Sequence, residues 1–186
     1  MADDFGYSEE IQEFAKEAVW KDGRWMAVIV KAIYEKYGRE AIDVLCDAFY
    51  KFGEEEAKRY KKELGWEGRE DEINVAVALR DIYPNVHKHI GAAGMEIERI
   101  KFSEKESESH VPFCYIHDAW KSVWPEGSHF MCEIISKAHD TGFMHGLNPK
   151  LEWTHHAEKL NEDGTRQEGL ARGKEYCKMC LVLKED

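Results

Sequence analysis

Hydrophobic residues in the first half of the chain recur at steps of three and four, the spacing of an amphipathic helix. Ser8 precedes the first such run and is a residue type that caps helix N-termini, whereas Asp22-Gly23 is expected to break the helix. The last run is expected to end before Pro84, which cannot continue a helix. Three further helices are therefore predicted, over residues 26–37, 39–64 and 71–83.

The second half changes character after a predicted break at residues 92–94. Residues 95–102 alternate apolar and charged side chains, which predicts a strand with one wet face. Three more strands are predicted over residues 110–115, 151–159 and 175–184, with a turn at residues 161–164 and helices over residues 116–123 and 129–140. Few helical crossovers are available, so the strands should pair antiparallel.

These patterns predict an α+β fold in one domain, residues 1–186. About four helices form a helical half (1–93). They pack on a mixed half (94–186), whose mostly antiparallel sheet carries one or two helices and the candidate chemistry.

Charge narrows the classes of partner. The 37 acidic and 26 basic residues give a net charge of −11, which argues against nucleic acid or an anionic membrane as the main partner. The polar, acidic first ten residues do not resemble a signal peptide, and five cysteines, an odd number, favour reduced thiols. We therefore expect a cytoplasmic protein that acts on a small molecule.

Cysteine and histidine are concentrated after residue 109, and the sharpest pattern lies on the predicted helix 129–140. At 100° per residue, Cys132 and His139 project together, with Asp140 beside His139. A neighbouring imidazole can generate a thiolate, and a carboxylate can orient that imidazole. The alternative, favoured for a single pair of this kind, is that Cys132 is an inert buried residue. The acidic run 54–56 is interpreted as a solvated helix face.

Two further cysteine pairs are less specific. Cys114 and His117 share one side if their segment is helical, where they could hold a metal with Cys132 or Cys177, but they face opposite sides in a strand. Cys177 and Cys180 lie in a predicted strand, which points the two thiols apart. Zinc-ribbon or thioredoxin-like chemistry is therefore not expected.

The order of residues in the second half resembles the L-2-amino-thiazoline-4-carboxylic acid hydrolase family. The segment carrying the resemblance contains Cys114, Gly127, Cys132-Glu133, Asp140, Phe143, Leu147-Asn148-Pro149, Leu151, Thr154, Leu160 and Gly173…Cys177. The stretch 161–172 is longer than the family pattern leads us to expect. The resemblance implies hydrolytic opening of a small cyclic substrate that contains a C=N bond.

Two versions of that chemistry suit the residues present. In the first, Cys132 attacks or orients water with His139 or Asp140 as base, and Cys177 and Cys114 complete the site. In the second, a divalent metal, zinc or iron, activates water and is held by Cys132, Asp140, Cys177 and His117. The alternatives are a non-catalytic module that binds a small molecule or metal through the same cluster, and a structural interaction protein.

Overall fold

Five helices and four strands form within the residues that the computed structural model describes, 8–86, 97–155 and 176–185. The helices are α1 (Glu9–Tyr37), α2 (Arg39–Glu63), α3 (residues 75–86), α4 (Tyr115–Val123) and α5 (residues 128–147). The strands are β1 (Glu98–Phe102), β2 (Glu106–Val111), β3 (Leu151–His155) and β4 (Cys177–Leu183). The predicted α+β class is confirmed. The predicted break at 92–94 and turn at 161–164 lie outside the described residues.

The four strands form one sheet in the order β1-β2-β4-β3, and every neighbouring pair is antiparallel, as predicted. β2 starts earlier than the predicted strand 110–115 and ends before Cys114. Its inward positions Ser107 and Ser109 are buried although they are polar. Hydrophobic alternation therefore gives no signal for this strand.

α1 is one continuous helix, so the break predicted at Asp22-Gly23 is wrong. Ser8 caps its N-terminus as expected, accepting a hydrogen bond from the Ile11 backbone N–H at 3.4 Å. Gly23 is buried, and a Cβ at this position would lie 2.9 Å from the Cβ of Ala119 on α4. The glycine therefore allows α1 and α4 to pack closely rather than ending the helix.

α3 starts later than predicted and runs past Pro84. Asn74 caps it by accepting a hydrogen bond from the Val77 N–H at 3.0 Å. A π-helical turn, Ala78–Ile82, comes directly before Tyr83–Val86. Proline lacks an N–H and crowds the carbonyl four residues back, and a widened turn accommodates both effects without ending the helix.

α2 and α5 cross at backbone contact through glycines. A Cβ on Gly142 would overlap the Tyr50 carbonyl, and one on Gly53 would overlap the His139 carbonyl. A Cβ on Gly146 would lie 2.7 Å from that of Ala57. This crossing brings side chains of the two helices together in the interior, including the site described below.

Two apolar clusters hold the layers together. One joins α3, α5 and the sheet and is centred on Phe143, Leu147 and Trp153. The other joins α1, α2, α4 and α5 and is centred on Trp120 and Ile134. Among the described helices, none has the length and apolar character needed to cross a lipid bilayer.

Candidate active site

A line of four polar side chains runs from α2 through α5 to α3. His139 Nε2 lies 3.1 Å from Glu56 Oε2, and His139 Nδ1 lies 3.1 Å from Asp140 Oδ1. The Tyr83 hydroxyl donates a hydrogen bond to Asp140. His139 and Asp140 are buried, at 7% and 6% exposure. We call Glu56, His139, Asp140 and Tyr83 the polar relay.

Both π-helical segments of the described chain end at this relay. Cys132–His139 is π-helical and is followed by Asp140, and Ala78–Ile82 is followed by Tyr83. The Trp153 indole N–H donates to the Ser136 carbonyl inside the longer segment, at 2.8 Å. Because a π-helix bonds i to i+5, the α-helical spacing that predicted Cys132 and His139 on one side does not apply.

The relay favours a protonated imidazole. Burial by itself would lower the pKa of His139, but the hydrogen bonds and charges of Asp140 and Glu56 raise it above its ordinary value. Burial also raises the pKa of Asp140, an effect that hydrogen bonds from His139 and Tyr83 only partly offset. Burial and the Asp140 charge hold the pKa of Tyr83 well above its ordinary value. Each of these three groups therefore holds its proton to a higher pH than the free side chain does.

Stability is expected to fall as the pH rises from 6.5 through the raised pKa of His139. A histidine with a raised folded-state pKa stabilises the fold fully below its ordinary value of 6.5, and that contribution is lost as the pH rises through the folded-state pKa. The measurement is the urea midpoint against pH for the wild type and for His139→Gln. The variant should lack this fall, and parallel pH profiles for the two proteins would contradict the assignment.

The surroundings of the relay differ at its two ends. Glu56 is half-buried and accepts a hydrogen bond from Arg59 at 3.1 Å, and the half-exposed Phe52 ring lies 5.6 Å from the His139 ring. At the other end, the Tyr83 ring stacks on Trp153 with ring centroids 6.1 Å apart. The relay thus extends from the protein surface into the aromatic core.

Cys114 has an electrostatic link to this relay. It caps the N-terminus of α4, where its Sγ accepts hydrogen bonds from the backbone N–H groups of His117, at 3.4 Å, and Ile116. Burial raises the pKa of the Cys114 thiol, and these two hydrogen bonds offset part of the rise. The charge of a Cys114 thiolate would raise the pKa of Tyr83, so the two groups lie within electrostatic range.

Two buried nitrogen atoms on α4 have no hydrogen-bond partner among the described residues. They are His117 Nε2 and Trp120 Nε1, on residues three and six positions after Cys114. Burial lowers the pKa of His117, and Lys121 lowers it further against the opposing charge of Asp118. His117 is therefore a neutral imidazole at physiological pH, and an unpaired buried polar group of this kind costs about 1–3 kcal/mol.

The other predicted thiols have different surroundings. Cys132 is buried in the apolar cluster around Trp120 and Ile134. Cys177 is buried on β4, opposite Val111 of β2. Cys180 is half-buried three residues further along the same strand, which points it away from Cys177 as predicted.

The described donors do not fit a resident metal ion. Within residues 8–86, 97–155 and 176–185, no three His, Cys, Asp or Glu side chains are grouped to hold one. The predicted set of Cys132, Asp140, Cys177 and His117 is therefore not gathered at one point. Activation of water by a metal stays a prediction from the sequence.

A model of one protein family matches residues 22–181, nearly the whole chain. The family is described as L-2-amino-thiazoline-4-carboxylic acid hydrolase. The chain belongs to this family. The resemblance predicted from residues 110–180 is thereby confirmed, and the match also covers α1 from residue 22 onward and all of α2. No curated protein matches the chain.

Among solved structures, the chain is similar to a trafficking protein particle complex subunit 3 from Naegleria fowleri, whose crystal structure carries covalently bound palmitic acid. The sequence identity is 12% and the TM-score is 0.43, with 88% of this chain and 96% of that chain covered.

Two relay residues of this family member were not predicted from the sequence. Glu56 lies in the acidic run interpreted as a solvated face, and Tyr83 was treated as the end of a helix. A glycine lies three residues before Glu56 and another three residues after His139. Glycines at these spacings on two predicted helices are a signal that could have indicated a close helix crossing.

Proposed function

We propose that this family member is a hydrolase that opens a small cyclic C=N substrate of the thiazoline type, at the junction between Cys114 and the polar relay. The observation that carries the proposal is the buried relay itself, in which His139 lies 3.1 Å from both Glu56 and Asp140. A buried acid and imidazole with shifted pKa values are typical of catalytic sites.

The reaction needs a nucleophile and a proton donor. Cys114 loses its proton to solvent and adds its sulfur to the ring carbon, while the electron pair of the C=N bond passes to the ring nitrogen. That nitrogen takes the Tyr83 proton, which protonated His139 replaces through the Asp140 carboxylate. Collapse of the adduct breaks the bond between this carbon and the ring sulfur, which leaves as a thiolate and takes a proton from solvent. Water then adds to the same carbon, loses a proton and displaces the Cys114 thiolate, and His139 is reprotonated from solvent. General acid–base catalysis of this kind contributes about 100- to 10,000-fold.

We propose Cys114 as the nucleophile in preference to Cys132. Cys114 is half-buried and lies at a helix N-terminus, where two backbone N–H groups offset part of the rise in pKa that burial causes, and the helix dipole also stabilises a thiolate. Cys132 is buried among apolar side chains, an environment typical of inert cysteines.

The unpaired nitrogens of α4 supply a third requirement of the reaction, groups that hydrogen-bond the charged parts of the substrate. His117 is three residues after Cys114 and Trp120 is three residues after His117, so each successive pair consists of neighbours on the helix surface. We propose that they hydrogen-bond the substrate carboxylate or the charge that develops on the ring. Pairing with a substrate would remove the cost of leaving these nitrogens unsatisfied.

The experiment is a turnover assay on 2-amino-thiazoline-4-carboxylate with the wild type, Cys114→Ser and Cys132→Ser. The Cys114 variant is expected to lose at least about 100-fold in kcat/KM, since it lacks the nucleophile. The matched Cys132 variant should stay within a few-fold of the wild type, and thermal unfolding should verify that both are folded.

Two outcomes would contradict the proposal. If Cys132→Ser were inactive and Cys114→Ser active, the nucleophile predicted from the sequence would replace Cys114. If the wild type turned over neither this compound nor related cyclic amidines, the proposed substrate class would be wrong.

A further inference from the structure

α1 carries two apolar faces. One is buried against α4 and includes Ala15, Val19 and Ala27. The second faces solvent, with exposures of 49% to 74% at Ile11, Phe14, Trp25, Val28 and Ile29. Monomeric proteins rarely leave so many large apolar side chains exposed along one line, and such a line indicates an interaction surface.

The spacing of the exposed face is that of a helix–helix seam. Ile11, Phe14, Ala18 and Lys21 recur at steps of three and four, and Asp22, Trp25, Ile29 and Ala32 repeat the same steps. Steps that alternate between three and four are those of the a and d positions of a coiled coil. From Ile11 to Ala32 the seam is about 32 Å long at 1.5 Å per residue. We call residues 11–32 of this face the α1 seam.

Charge indicates which partner suits the α1 seam. α1 holds six acidic and five basic residues, a net charge of −1, in a chain whose net charge is −11. A second copy of this chain therefore meets little repulsion along α1 compared with the rest of the acidic surface. The first third of α1, residues 9–18, has a net charge of −3, from Glu9, Glu10, Glu13, Glu17 and Lys16, whereas the last third, residues 28–37, has a net charge of +1, from Lys31, Lys36 and Glu35.

We propose that α1 pairs with α1 of a second copy, antiparallel about a two-fold axis between residues 21 and 22. That arrangement brings the acidic end of each helix to the basic end of the other. It sets Phe14 opposite Ile29, small Ala18 opposite large Trp25, and Lys21 opposite Asp22 of the second copy. The same patch serves both copies, which is the geometry of a closed dimer.

The surface next to the seam has a groove that can receive side chains of a second helix. A groove of about 560 Å³ lies between the first half of α1 and the start of α4, and its apolar lining includes Phe14, Trp20, Phe113 and Tyr115. In the antiparallel pair, the last third of α1 from the second copy lies beside this groove. Apolar contact therefore extends past the two helices onto α4.

The test is the molar mass of the full chain by sedimentation equilibrium. The wild type should give twice 21.7 kDa at micromolar concentration, and Ile29→Glu should give 21.7 kDa. Val44→Glu is the control, because Val44 is 63% exposed on α2 outside the seam and Ile29 is 57% exposed. The control should remain dimeric, and circular dichroism should verify that both variants are folded.

Exchange of the charges at Lys21 and Asp22 tests the antiparallel orientation of the two α1 helices. Lys21→Glu should weaken the dimer at least tenfold, since it sets two acids opposite each other, and the double variant Lys21→Glu with Asp22→Lys should restore the wild-type dissociation constant. A wild-type chain that is monomeric at 100-fold higher concentration, or a Val44→Glu variant that dissociates as readily as Ile29→Glu, would overturn the proposal. Lack of rescue by the double variant would overturn the antiparallel register.

Discussion

Gly142→Ala is expected to lower the free energy of unfolding by about 3 kcal/mol, the upper end of the usual cost of overpacking. In an ordinary helix interior this change stabilises by about 0.5–1 kcal/mol, because alanine restricts the unfolded chain. Here the new Cβ would overlap the Tyr50 carbonyl on α2, and neither backbone can rotate away. The sign of the effect therefore tests the contact between α2 and α5 directly.

Urea unfolding of Gly142→Ala and Lys137→Ala measures this effect. Lys137 is an exposed residue of α5, so its replacement should change the midpoint little. Turnover by Gly142→Ala should fall as well, since separation of the helices moves Glu56 away from His139. A Gly142→Ala protein as stable as the wild type would mean that the two helices do not cross at backbone contact.

Asp140→Asn is expected to reduce turnover by about 100- to 10,000-fold, the range supplied by general acid–base catalysis. Asparagine keeps the size of the side chain and still accepts a hydrogen bond from Tyr83, but it has no proton to exchange. Loss of the carboxylate charge also removes the main support for protonated His139, so the pKa of His139 should fall. Both effects are specific to the relay and leave the fold intact.

The measurements for this variant are kcat against pH and the NMR titration of the His139 ring. Asp47→Asn serves as the control, because Asp47 is an exposed acid on α2 outside the relay. Full turnover by Asp140→Asn would exclude the relay from the reaction. A His139 titration unchanged from the wild type would show that Asp140 does not support the imidazolium.

Periodicity in the sequence located most of the elements, because it records which side of each segment is buried. The helix predicted over residues 39–64 agrees with α2 within one residue, and the antiparallel pairing followed from the shortage of crossovers. Periodicity did not locate the start of β2, where buried serines replace apolar residues. It also did not reveal that α1 continues through Gly23. The role of Gly23 depends on Ala119, which is remote in sequence, so no local pattern could reveal it.

The sequence by itself determined the α+β class, the family, and the adjacent pair His139 and Asp140. The tertiary structure alone decided which groups meet that pair: Glu56 from an apparently solvated run, Tyr83 after a π-helical turn, and Cys114 in electrostatic range of Tyr83. Local spacing fixes the direction of a side chain only within one regular helix. Contacts between α2, α3 and α5 depend instead on how closely their backbones approach. For α2 and α5, the glycines at their crossing set that distance.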